Sequence, residues 1–179
     1  SATWELDIWG RLRRLTEAAR ADLLSTEEGR RAVVLTLVSS VAGAYVNLRD
    51  LDKQLEIAKQ TAKTREDTYK LFQLRFKGGI ISEVQLSQIK SEYEAALATI
   101  PQIEKSIALQ ENALSILVGR DPGQIPRGRT IDTLALPAVP AGLPSDLLER
   151  RPDIRQAEQD LIAANAQIGA AKALYFPTI

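Results

Sequence analysis

Cysteine, histidine and methionine are all missing from this 179-residue chain. Their absence removes disulfides, thiolate nucleophiles and the commonest transition-metal ligand together. General acid–base and nucleophilic schemes lose their usual carriers with them, so no enzymatic activity, no cofactor and no metal site is expected. The lack of cysteine is compatible with an oxidising compartment but does not fix one. Charge of one sign is also lacking: 23 basic and 23 acidic residues balance to a formal net charge of zero. There is therefore no electrostatic footprint for nucleic acid and no acidic tail. The longest uncharged run, 32–48, holds 17 residues and is interrupted by Thr36, Ser39, Ser40, Gly43 and Asn47. It falls short of the roughly 20 apolar residues of a spanning helix and is not read as one. No initiator methionine or signal peptide opens the chain, and it stops at Phe176-Pro177-Thr178-Ile179. An excised fragment is expected on that pattern.

Strong helix formers fill the chain in long stretches with few glycines or prolines, the profile of extended helices that associate laterally. In the first stretch, Leu37, Val41, Ala44, Leu48, Leu51, Leu55, Ala58, Ala62, Arg65, Tyr69, Phe72 and Phe76 advance by alternating steps of four and three. Such a 3.5-residue repeat keeps one stripe against a neighbouring helix and predicts a coiled-coil seam. A helix over about 12–76 would be about 100 Å long. Arg65 is the one charged residue in the stripe, read first as a side chain snorkelling outward and second as a polar register device.

Two glycines interrupt the pattern in the tip turn 77–82, and Ser82 is placed to cap a new helix with Glu83 in its first turn. The return helix, 83–118, carries a second seam at Leu86, Ile89, Tyr93, Ala96, Ile100, Ile103, Ile107, Gln110, Leu114 and Leu117. The two stripes can face each other antiparallel. Pro101 falls inside this series, and an interior proline costs about 3 kcal/mol, so a kink or short break is expected near it. The segment 119–144 holds five of the eight prolines (Pro122, Pro126, Pro137, Pro140 and Pro144) and ends helical regularity. Its apolar residues Ile125, Ile131, Leu134, Leu136, Val139 and Leu143 favour packing over disorder. Arg120, Arg127 and Arg129 in it are read as surface salt links in preference to a binding patch. A last helical stretch covers 145–175, with Ser145 or Asp146 as cap and Pro152 dividing it into two segments. Its seam is read as Ile154, Ala157, Leu161, Ala164, Ile168, Ala171 and Tyr175, flanked by Ala163, Ala166, Gly169, Ala170 and Ala173, which permit close approach of helix axes. Gly78-Gly79 lacks the spacing and the following lysine of a phosphate loop. Paired carboxylates such as Glu92 and Glu94 read as a solvated helix face. The residues alone thus describe one all-α domain, 1–179, of long antiparallel helices with a coiled-coil hairpin.

Several stretches, in order along nearly the whole chain, resemble the outer membrane factors of tripartite efflux and type I secretion, in particular the efflux lipoproteins that accompany proton-driven pumps. The most specific is Leu143-Pro-Ser-Asp-Leu-Leu-Glu-Arg-Arg-Pro-Asp-Ile-Arg-Gln-Ala-Glu, continuing through Ala163-Ala-Asn-Ala-Gln-Ile-Gly-Ala-Ala-Lys-Ala to Tyr175-Phe-Pro-Thr-Ile. Supporting it are Trp4-Glu-Leu-Asp-Ile-Trp-Gly-Arg, the turn Arg75-Phe-Lys-Gly-Gly-Ile-Ile-Ser-Glu-Val, and Asn112-Ala-Leu-Ser-Ile-Leu-Val-Gly-Arg. The resemblance implies a homotrimer in the Gram-negative outer membrane, with a helical α-barrel across the periplasm to which this chain contributes the part between two membrane β-hairpins. It implies passive export of drugs or metal ions, with an inner membrane transporter and a periplasmic adaptor as partners. The adaptor would meet the tunnel tip, which here is Gly78, Gly79, Ile80, Ile81 and Ser82. The alternative is a coiled-coil structural scaffold with no channel role, which would share the heptads but not the match from Leu143 to Ile179.

Overall fold

The computed structural model describes residues 5–135, 137, 138, 142 and 145–177. Trp4, Leu136, Val139, Pro140, Leu143, Pro144 and Ile179, each singled out in the sequence, lie outside them, and so does the side chain of Asp146. The elements in chain order are α1 (Arg11–Lys77), α2 (Glu83–Leu117), a short 3₁₀ turn (Ile131–Thr133), α3 (Asp146–Arg150) and α4 (Pro152–Ala173). No strand occurs among the described residues. The fold is all-α, as the periodicity predicts.

Two compact units divide the chain, one comprising Ser1–Val38 with Ala138–Ile179 and the other Ser39–Pro137. In the second unit, the C-terminal part of α1 and all of α2 form an antiparallel pair. The Gln110 side-chain amide donates to the Ala44 carbonyl (2.9 Å), Lys59 pairs with Glu104 (3.3 Å), and Arg65 with Glu92 (2.6 Å). Leu48 and Leu114 are its largest fully buried side chains, each contributing roughly 1.5–3 kcal/mol of transfer free energy. Every member of the α2 stripe, from Leu86 to Leu117, is buried or half-buried. Along α1 the stripe is covered from Val41 to Phe72 except at Arg65, while Leu37 and Phe76 are exposed. Arg65 reaches across to Glu92, and one turn on Tyr69 lies over Tyr93 with ring centroids 6.0 Å apart. Arg65 thus leaves the seam outward and meets Glu92 at an exposed edge, as the first of its two sequence readings has it. Pro101 lies inside α2, which continues through it to Leu117 without a break. It sits on the exposed side, where solvent can reach the carbonyl its missing N–H leaves without a donor.

In the first unit the buried positions are Ala18, Ala21, Ser25 and Glu28 on α1 and Ala163, Ala166, Ala170 and Ala173 on α4. Both sets advance in steps of three and four. The Ser25 hydroxyl donates to Asp160 (2.5 Å), Glu28 takes Arg155 (3.3 Å) and Arg31 (2.7 Å), and the Gly29 and Gly169 backbones lie against Gln156 and Arg14. These partners run in opposite directions along the two helices, so the pair is antiparallel. The seam expected for this stretch is therefore displaced. Leu161, Ile168 and Tyr175 are 62%, 53% and 88% exposed, whereas the flanking alanines are inside. Small side chains let two helix backbones approach closely, and the polar crosslinks fix the face that does so, which outranks the larger apolar residues beside it. Pro152 opens α4 at its first turn after the five-residue α3, and Ser145 makes no capping bond.

α1 also contains an 18-residue window apolar enough, by length and composition alone, to cross a membrane, with mean hydropathy 1.4. The hydroxyls and glycine that set run 32–48 aside in the sequence do not exclude α1 on that measure. Only 6% of the window is buried within the chain. Val33, Val34, Leu35, Leu37 and Val38 are all exposed.

Candidate functional site

The turn between α1 and α2 is determined by backbone chemistry. At the end of α1 the Ile80 amide donates to the Arg75 carbonyl (2.9 Å) and the Gly79 amide to Phe76 (2.9 Å). This paired closure needs a left-handed residue, and Gly79 supplies it with φ +70°. Just beyond it, α2 begins with a reciprocal cap. The Ser82 hydroxyl accepts from the Gln85 amide (3.3 Å) while the Gln85 side-chain oxygen accepts from the Ser82 amide (3.1 Å). The reversal from α1 to α2 is thus completed within residues 78–82.

That turn brings the five residues singled out in the sequence together but does not treat them alike. Ile80 is 75% exposed, whereas Ile81 is half-buried. Two apolar residues not singled out are more exposed than Ile81: Val84 at 76% and Leu74 at 66%. Both lie off the three-four stripe that covers Phe72 and Leu86, and that departure from periodicity is the signal that could have found them. An isolated exposed aliphatic needs no explanation, but here three stand exposed in one turn and the helix ends beside it. Arg75, stacked over Phe72 at 5.5 Å, and Lys77 complete the last turn of α1, where cations suit the helix C-terminus.

At the other end of the hairpin, residues 119–135 are tied down by charge. Arg127 pairs with Asp52 of α1 (2.9 Å) and Glu111 of α2 (2.5 Å), and the Asp52 carboxylate beside it raises the guanidinium further above its already high range. Asp52 also takes the buried Arg49 (2.5 Å), whose Nε donates to the Arg129 carbonyl (3.0 Å). The Tyr45 hydroxyl accepts from the Gly128 amide (2.8 Å), and Lys53 pairs with Asp132 (3.1 Å). Arg127 is thus a structural salt link. No group of three or more acidic residues that could hold a metal ion occurs among the described residues. The arrangement offers surfaces and a fastened loop.

A family model described as "Outer membrane efflux protein" matches residues 1–120. The toluene efflux pump outer membrane protein TtgC of Pseudomonas putida is 40% identical over 179 residues, covering 99% of this chain and 37% of that protein. The cation efflux system protein CusC of Escherichia coli K12 is 39% identical over 181 residues, covering 100% of this chain and 39% of that protein. Among solved structures, CusC superposes with a TM-score of 0.89 at 38% identity, covering 98% of this chain and 41% of that one. The open-state MtrE outer membrane channel of Neisseria gonorrhoeae does so at 0.84 and 35%, over 99% and 40%. An all-α hairpin chain with an exposed apolar tip is thus similar to the helical part of outer membrane channels. The chain belongs to the outer membrane efflux protein family, and it spans about two fifths of the length of the relatives it matches.

Proposed function

We propose that this chain is the periplasmic tunnel portion of a trimeric outer membrane efflux channel in a Gram-negative bacterium, and that its hairpin tip docks a periplasmic adaptor. The channel serves a tripartite pump, with an inner membrane transporter supplying the energy, and passes small molecules such as drugs or metal ions without chemistry. The observation that carries the docking role is the exposure of Ile80, with Val84 and Leu74 around it, at the tip of a hairpin that Gly79 and the Ser82–Gln85 cap hold in one conformation. Apolar side chains held out on a rigid turn bind a partner at low entropic cost. Gly78 and Gly79 serve the turn, Ser82 its cap, and Ile81 a half-buried base, so the contact itself falls on Ile80. The exposed aliphatic run Val33–Val38 on α1, and Leu161 and Ile168 on α4, support lateral helix neighbours from the rest of a trimeric wall.

Opening would be a population shift: the adaptor favours the open tip only by as much as it binds that state more tightly. The reading is tested by Ile80→Asp and Val84→Asp in the full-length protein, followed by adaptor cross-linking at the tip and by drug and metal-ion susceptibility in a strain without redundant channels. Weakened cross-linking with increased susceptibility is expected. Unchanged cross-linking and susceptibility would remove the docking role, and unchanged susceptibility on deleting the whole gene would remove the efflux role.

A further inference from the structure

Three features of the second unit meet at one level of the hairpin. On α2, Pro101 brings no N–H, so the Leu97 carbonyl one turn back has no donor within the helix, and the proline ring crowds that carbonyl. Two residues before the proline, the Thr99 hydroxyl donates to the Ala96 carbonyl (2.7 Å), a back-bond of the kind that bends helices. Across from them the stripe is at its thinnest. α1 supplies Ala58 and the buried Ala62, and α2 supplies Ala96, whereas Leu55, Arg65, Tyr93 and Ile100 beside them are all larger.

The fastenings on the two sides of this level are stronger than those at it. Away from the tip, Leu48 and Leu114 are fully buried, the Gln110 amide reaches the Ala44 carbonyl (2.9 Å), and Arg127 joins Asp52 to Glu111. Toward the tip, Tyr69 stacks on Tyr93 and the Ser82–Gln85 cap closes the turn. The level itself is bracketed by Lys59–Glu104 and Arg65–Glu92, whose side chains are 56%, 50%, 48% and 41% exposed. Ion pairs so exposed hold two helices only weakly. α1 has neither glycine nor proline from Ala44 to Lys77, so it curves as a smooth rod, while α2 has one soft point.

We propose that Pro101, opposite Ala58 and Ala62, is a hinge at which the distal hairpin, residues 63–99, bends relative to the part that Leu48, Leu114 and Arg127 hold. A bend there costs α2 no hydrogen bond between residues 97 and 101, because that bond is already missing. Two arrangements of the distal hairpin therefore lie close in free energy, and a partner bound at the tip can bias them. The use of the hinge in opening rests on the tunnel reading above.

The test compares Pro101→Ala and Pro101→Gly with the wild type in the full-length protein. Alanine restores the missing bond and favours the helix; glycine restores the bond but keeps the backbone soft. Pro101→Ala should slow amide exchange at residues 98–100 and 102–105 at least about tenfold. It should also raise drug or metal-ion susceptibility in a strain without redundant channels, while the tip still cross-links to the adaptor. Alanine is the better helix former, so misfolding does not account for that loss. Pro101→Gly should keep exchange faster than Pro101→Ala and susceptibility near the wild type, which loss of a fixed helix shape would not give. The hinge is overturned by exchange that Pro101→Ala leaves unchanged, or by equal loss of efflux in the two variants. It is also overturned by normal susceptibility despite slowed exchange in a strain that deletion of the whole gene sensitises. Where that deletion changes nothing, the tunnel reading falls and the exchange measurement alone decides the hinge.

Discussion

Arg127 holds two helices with one guanidinium: its Nε lies 2.9 Å from Asp52 on α1 and its Nη1 2.5 Å from Glu111 on α2. The same Nη1 donates to the Ile125 carbonyl (2.6 Å), and Glu111 accepts from the Ile125 amide (3.2 Å), so the loop is bound to the hairpin by backbone as well as charge. Replacing Arg127 with Ala removes a bridge of charge-assisted bonds and should cost about 1.5–3 kcal/mol, toward the low end because the side chain is 30% exposed. Arg127→Lys should recover only part of that, since one ammonium cannot reproduce the spread of a guanidinium that meets Asp52 through Nε and Nη2 and Glu111 and the Ile125 carbonyl through Nη1. Chemical denaturation gives the cost. Hydrogen exchange at Ile125 and Gly128 reports whether loss is local, and equal stability of the Ala and Lys variants would contradict the bridge.

Gly79→Ala forces a side chain into a left-handed conformation and should destabilise by about 1–2 kcal/mol even though a Cβ there meets nothing within 4 Å. Gly79→Asn should cost less, because asparagine tolerates that region. A thermal melt of both variants decides it: a larger loss for Asn than for Ala would mean that space, not backbone strain, governs the turn.

Ala166 is 1% exposed on the α4 seam. Ala166→Leu overpacks it and should cost about 1–3 kcal/mol, whereas Leu161→Ala on the exposed side of the same helix should cost less than about 0.5 kcal/mol. Heptad counting from the large apolar residues predicts the opposite order. Guanidinium unfolding of the two variants separates the two seams.

Asp7 caps α1 through the Leu12 and Arg13 amides at 3.0 and 2.9 Å. Desolvation pushes its carboxyl up, but the bonds from Arg13 and Leu12 outweigh it and hold the carboxyl below its ordinary value. A lowered folded value means the cap contributes fully above the unfolded carboxylate range, near pH 4, and is lost as pH falls through the folded value. The wild-type chain should therefore lose stability toward low pH relative to Asp7→Asn, whose side chain does not titrate. Melting temperatures of both proteins from pH 6 to pH 2 should converge at the acid end; a constant gap would rule the cap out as their source.

Most of the second unit was legible in one dimension. A stripe that keeps three-four steps from Val41 to Phe72 and from Leu86 to Leu117 has one way to bury itself, and glycines followed by Ser82 mark where the chain must reverse. Composition likewise removed thiol and imidazole chemistry without any coordinates. The tertiary structure decided which face of α4 is inside. Alanines beside the larger apolar stripe win because small residues shorten the distance between backbones and Ser25, Asp160, Glu28 and Arg155 lock that approach, a gain that depends on a partner distant in sequence. It also decided that Arg65 is paired, that Ile81 is half-buried while Val84 is out, and that Arg127 is a bridge. The period could point to Val84 as lying off the stripe, but pairing and the burial of Ile81 belong to the arrangement of two or more segments, and no local period encodes them.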